Sequence, residues 1–209
     1  MQDNDISHLN SRIDDSNIEY KKKAANKVQY LADGTPLFSI FEISESGVCN
    51  RKCAFCPRSS KDFPEENKFI ESSLISSMAT ELGILEYRGT IMFSGFVEPM
   101  LDKKISDHVT VFRRSCPEAT IDIVTNGDPL NIRNLELLNA AGISHLIVSM
   151  YDGPEQIDRF LDLGDKAGFP KEKMILRPRW RDVDGFVPIS LSNRGGLMAE
   201  AEAPIANLE

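Results

Sequence analysis

Residues 37–57 carry two signals in succession: Leu37-Phe38-Ser39-Ile40-Phe41-Glu42-Ile43-Ser44, and then, after a short spacer, Cys49-Asn50-Arg51-Lys52-Cys53-Ala54-Phe55-Cys56-Pro57. The first run alternates and is rich in Phe and Ile, which predicts a β-strand over 37–44. The second places three cysteines within eight residues on the loop that follows. Working outward, a helical stripe at 72–85 (Leu74, Ile75, Met78, Leu82, Leu85) leads to a short apolar strand at 90–93. Ile105, Val109 and Phe112 mark a second helix, followed by a strand at 119–124. Ile132, Leu135 and Leu138 mark a third helix with Gly142 as its cap, and a strand follows at 145–150. Ile157, Phe160 and Leu161 form a fourth helical face before a strand at 173–177. Strand and helix alternating every 25 to 30 residues or so is the pattern of βα units around a parallel sheet. Right-handed crossovers curl such units, so the expected fold is α/β, a partial (β/α)6 TIM-like barrel.

Outside that rhythm the chain changes character. Residues 1–36 are polar, with scattered Ile6, Leu9, Ile13 and Ile18 and the triplet Lys21-Lys22-Lys23, and read as a partly helical peripheral arm broken by Gly34-Thr35-Pro36. The barrel is assigned to 37–196, with a long loop beyond Trp180 that holds a short strand at 186–191. Residues 197–209 are an Ala/Glu-rich tail without a terminating signal, which reads either as the start of a further C-terminal extension or as the tail of a protein that lacks one.

Composition narrows the function. The chain has 209 residues, 24 basic against 32 acidic side chains and a net charge of −8. Acidic balance argues against a nucleic-acid-coating or membrane-surface role, since both rely on basic patches. No apolar run approaches the ~18 residues of a membrane span. The start Met1-Gln2-Asp3-Asn4-Asp5 lacks a signal peptide's basic and apolar regions, so the expected address is the cytoplasm. In that reducing compartment, clustered cysteines read as a metal or redox site rather than as disulfides. The fourth, Cys116, stands apart and reads as a small buried residue.

In parallel α/β folds function sits at the carboxyl ends of the strands. Every unusual polar cluster falls there: the cysteine loop after the first strand, Ser94-Gly95-Phe96-Val97-Glu98-Pro99 after the second, and Thr125-Asn126-Gly127-Asp128 after the third. Ser149-Met150-Tyr151-Asp152-Gly153 follows the fourth, and Arg177-Pro178-Arg179 closes the fifth. Three thiolates are one short of a closed zinc site and of a fully ligated 4Fe–4S cluster, which leaves an open coordination position. Zinc completed by His8, His108 or His145 competes, although no histidine has the usual spacing; a Cys53/Cys56 dithiol also competes. Glu98 has the plain alternative of a solvated acid, Thr125-Asn126-Gly127 of an ordinary turn, Ser149 of a strand end and Arg177 of an ion-pair partner.

Cys49, Cys53 and Cys56, with Phe55 before the last cysteine, resemble the radical S-adenosylmethionine superfamily. That resemblance implies a 4Fe–4S cluster on the three cysteines and S-adenosylmethionine chelated to the fourth iron. It further implies cleavage to a 5′-deoxyadenosyl radical that abstracts hydrogen from a peptide or small-metabolite substrate, and an electron donor such as flavodoxin or ferredoxin. Ser94 to Pro99 resembles the family's glycine-glycine-glutamate segment, making Glu98 the acid for the cofactor's amino group, with Gly95 allowing close approach; Val97 stands where glycine is common. Asn126 and Ser149 match ribose- or carboxylate-contacting positions, Arg177 is a carboxylate partner, and Phe55 packs beside the adenine. Cys-Pro-Arg at 56–58 and residues 191–196 look like members carrying a SPASM or twitch extension, whose auxiliary-cluster cysteines do not occur after Cys116 here. The competing class is a non-catalytic or zinc-stabilised barrel binding module.

Overall fold

The structure is a computed structural model, and it describes residues 28–53, 55–64, 66–179, 181–182 and 186–187. Five parallel strands form one sheet: β1 (Ile40–Ile43), β2 (Thr90–Phe93), β3 (Thr120–Thr125), β4 (His145–Met150) and β5 (Met174–Pro178). Their spatial order is their chain order, 1-2-3-4-5. An order without reversal means that each crossover steps the same way, as in a barrel, whereas a doubly wound sheet would reverse. Four helices make those crossovers: α1 (Ser72–Ile84), α2 (Ile105–Ser115), α3 (Ile132–Ala141) and α4 (Glu155–Lys166). The architecture is the partial (β/α) barrel that the alternation predicts.

Period-two alternation splits the sheet into two faces. One face supplies Ile91, Phe93, Ile121, Ile123, Leu146, Val148, Met174 and Leu176 to a single hydrophobic core, where Ile75, Val109, Phe112, Leu135 and Phe160 of the helices meet them. The intervening residues face the other way. Glu42, Met92, Asp122 and His145 stand side by side across four strands by register, and Ser149 pairs with Arg177. One side of the sheet is thus sealed by helices, and the other presents polar groups.

Local differences from the sequence reading have physical reasons. Leu74 is 51% exposed, because the inward stripe of α1 is Ile75, Ala79 and Leu82, and Leu74 lies about 100° round the helix from Ile75. Ile132 opens α3 and is likewise exposed, while Asn131 caps that helix with Asn134 in a reciprocal pair of bonds. Gly142 ends α3 in the left-handed conformation (φ 86°), as expected of a cap. The described part of the N-terminal arm, 28–36, contains a turn and a Tyr30–Pro36 bridge in place of helix; residues 1–27 lie outside the described residues. Beyond β5, β6 (Arg181–Asp182) pairs antiparallel with β7 (Phe186–Val187) in a separate two-stranded sheet. The strand expected at 186–191 is therefore a short hairpin arm over its described part, and 188–209 lie outside the described residues.

Candidate functional site

The four loops beyond β1 to β4 meet at the carboxyl end of the sheet, around an open cleft. Cys49, Cys53 and Cys56 line it together with Phe55, Arg58, Gly95, Glu98, Asn126, Ser149 and Tyr151. All three thiols are free and partly buried. Burial pushes the Cys49 and Cys53 thiols above their ordinary value, so metal uptake would release their protons. The stem of the cysteine loop is held by a short antiparallel ladder, with Gly47 N donating to Lys68 O (2.9 Å) and Ile70 N to Glu45 O (2.7 Å).

Glu98 is 1% exposed and brings two loops together. Its Oε1 accepts from Met100 N (3.0 Å) and Thr125 Oγ1 (2.6 Å), and its Oε2 from Asn126 N (2.7 Å). Burial raises its carboxyl above the usual range, and these three donors pull it back. A carboxylate offers about four acceptor sites, so among the described residues one stays open on Oε2. Gly95 has φ 118°, and a Cβ there would collide with the Ser44 hydroxyl. Its conformational freedom thus serves the packing of the β1 and β2 loops as well as the cleft. Asn126 turns its amide toward the cysteine loop, with Nδ2 2.8 Å from Asn50 Oδ1 and 3.9 Å from Cys49 Sγ. Ser149 Oγ is buried with no hydrogen-bond partner among the described residues. Arg177 is buried beside it and does not line the cleft.

Sequence reading missed the fastening of these loops. Arg51, inside the cysteine motif, donates Nε and Nη2 to Asp128 (2.6 Å each) and Nη1 and Nη2 to Asp152 (2.8 and 2.6 Å). Asn50 Nδ2 adds a bond to Asp128 Oδ2 (2.8 Å), and Gln156 Nε2 one to Asp152 Oδ2 (3.0 Å). The loop after β1 is thereby pinned to those after β3 and β4 by bidentate charge-assisted bonds. Tyr151 lies under the Arg51 guanidinium (5.7 Å) and packs on Phe55 (5.2 Å between ring centres). The available signal was charge: a lone Arg in the motif and one Asp in each of two other rim loops.

The histidines proposed as zinc ligands are occupied elsewhere. His108 is 2% exposed with Nδ1 3.4 Å from Asp102 Oδ2, His145 Nδ1 is 2.8 Å from Asp122 Oδ1, and neither lines the cleft. His8 lies outside the described residues. Among the described residues the cleft offers three thiols and no histidine, a donor set that fits an iron–sulfur cluster.

The Radical SAM superfamily profile matches residues 43–171, more than half of the chain. The chain belongs to the radical SAM superfamily. The cofactors of that superfamily, a 4Fe–4S cluster and S-adenosylmethionine, come with this membership. Among relatives, the S-adenosyl-L-methionine-dependent 2-deoxy-scyllo-inosamine dehydrogenase of Niallia circulans is 32% identical over 163 residues, 78% of this chain and 61% of that protein. The crystal structure of BtrN in complex with AdoMet and 2-DOIA is 31% identical with a TM-score of 0.60, covering 68% of this chain and 57% of that one. Selenomethionine BtrN in an open conformation gives 28% and 0.54. The chain spans about three-fifths of the length of these relatives. Among the described residues no helix is long and apolar enough to cross a membrane.

Glu45, in the stem of the radical SAM cysteine loop, is fully buried, and neither carboxyl oxygen has a hydrogen-bond partner among the described residues. Burial, with smaller contributions from the Asp102 and Glu98 charges, pushes it up to about 8. A carboxyl raised in the folded state stabilises while protonated, fully so below its unfolded value, and that contribution fades as pH climbs toward 8. Unfolding free energy is therefore expected to fall between about pH 5 and 8, by up to ~1.4 kcal/mol per pH unit from this group. Glu45→Gln should flatten the decline, and urea titrations at pH 5.5, 7 and 8.5 measure it. Parallel pH dependences for the two proteins would place the proton elsewhere.

Proposed function

We propose that Cys49, Cys53 and Cys56 hold three irons of a 4Fe–4S cluster and that the chain carries out radical chemistry on a small polyhydroxylated metabolite. The observation that carries the reading is convergence: three free thiols, Glu98, Asn126, Ser149 and Phe55 line one cleft at the carboxyl end of the sheet. Bound together, cluster and S-adenosylmethionine supply a 5′-deoxyadenosyl radical able to take a hydrogen atom from carbon. The chain's own groups do the rest. The open site on Glu98 Oε2 receives the cofactor's ammonium, the unpartnered Ser149 hydroxyl serves its ribose or carboxylate, and Asn126 orients Cys49. Phe55, backed by Tyr151, forms an apolar wall for the adenine. Arg177, buried next to Ser149, acts through that strand end.

A small-metabolite dehydrogenase is favoured over peptide modification by the named activity of the Niallia circulans relative. One-electron reduction falls to a flavodoxin or ferredoxin, which suits a cytoplasmic address. Anaerobic reconstitution is expected to give about four irons per chain, and dithionite with S-adenosylmethionine to release 5′-deoxyadenosine. An aminocyclitol should raise that release more than a peptide mixture does. One zinc and no iron would instead establish the zinc-stabilised module.

A further inference from the structure

A buried guanidinium joins the cysteine loop to the loop after β2. Arg58 lies in the 3-10 turn Pro57–Ser59 directly after Cys56 and is 7% exposed. Its Nη1 donates to Gly47 O (2.9 Å) and Phe96 O (3.3 Å), and its guanidinium lies over the Phe63 ring at 5.1 Å. Gly47 stands two residues before the first cysteine and Phe96 two residues before Glu98, so one side chain ties two neighbouring segments that also meet through Glu98 N donating to Val48 O (2.9 Å). Arg51, on the far side, is matched by two carboxylates. Arg58 has carbonyl dipoles and a ring, and no carboxylate pairs with it among the described residues. A buried cation so matched is electrostatically incomplete and favours an anion in the cleft that it lines.

We propose that Arg58 is the positioning and charge-balancing residue of this cleft, fixing the cysteine loop against the Ser94–Glu98 segment and favouring the more negative, reduced state of a thiolate-held cluster. The inference rests on the functional reading above. Reduction adds one electron close to a charge that water screens little, so removing the charge makes reduction harder. Arg58→Lys keeps the charge and loses the two-carbonyl fork.

The test uses the reconstituted full chain with Arg58→Gln and Arg58→Lys, reading iron content, midpoint potential by spectroscopic redox titration and S-adenosylmethionine affinity by equilibrium binding. Arg58→Gln is expected to keep its iron, shift the potential to more negative values and bind S-adenosylmethionine about tenfold more weakly. Arg58→Lys should restore the potential while leaving the affinity reduced. An unchanged potential in Arg58→Gln overturns the charge role, and unchanged affinity in both variants overturns the positioning role. Where Arg58→Gln fails to assemble a cluster, Arg58→Lys decides: a potential away from the wild-type value overturns the proposal. Absence of a cluster in the wild-type chain would instead defeat the functional reading.

Discussion

Replacing Cys49, Cys53 or Cys56 by Ala, one at a time, is expected to leave a folded protein that takes up almost no stable iron on anaerobic reconstitution. Cys116→Ala should keep the full complement. The three loop thiols line one cleft, whereas Cys116 is 1% exposed at the end of α2, its N–H bonded to Phe112 O. Losing one of three protein ligands opens a second coordination position to solvent, and clusters so ligated fall apart. Iron analysis and the broad iron–thiolate absorption near ~400 nm measure the outcome. Cys116→Ala costs only a small buried side chain, which lowers Tm without touching iron. Equal iron loss from Cys116→Ala, or full iron in any loop variant, would mean that another ligand set holds the metal.

Glu98→Ala is expected to damage the fold before it reports on cofactor. Truncation strands three buried donors, Met100 N, Thr125 Oγ1 and Asn126 N, at about 1–3 kcal/mol each, so a loss of about 3 kcal/mol or more in unfolding free energy follows. Glu98→Gln separates the two roles. It keeps a carbonyl acceptor for part of the brace and removes the negative charge. If the open Oε2 site receives an ammonium, Glu98→Gln weakens S-adenosylmethionine binding by roughly tenfold to a hundredfold, the equivalent of about 1.5–3 kcal/mol. Thermal melts and equilibrium binding on the same preparations give both numbers. Wild-type affinity in Glu98→Gln would leave Glu98 as a loop brace alone.

How far the sequence reaches can be judged element by element. All five strands and four helices of the barrel were legible, because apolar alternation at period two and stripes at period 3.6 report burial directly. Which side of a stripe turns inward was less so: Leu74 is as apolar as Ile75, and only the angle of α1 against the sheet separates them. The site was legible as a set of loops on one rim. The bonds between them were not, since Arg51 reaches Asp128 and Asp152 across 77 and 101 positions, and no local pattern records such distances. Glu98 shows the same limit in another form: its position past β2 was readable, while its three donors come from a neighbouring strand end and its own turn.

The Arg51 clasp bears on how the chain would acquire iron. In small metal-folded domains the ligand loops order only as metal binds, and ordering consumes part of the binding free energy. Here the guanidinium and its two carboxylates tie the cysteine loop to two other rim loops through protein groups alone. Such ties lower the ordering cost of the loop, so more of the binding free energy appears as retention of the cluster. Retention then inherits the clasp's weakness. Asp152 is 52% exposed, so ions in the buffer screen that half of the pair. Rising ionic strength should thus hasten loss of iron to a chelator while the melting curve of the core stays in place.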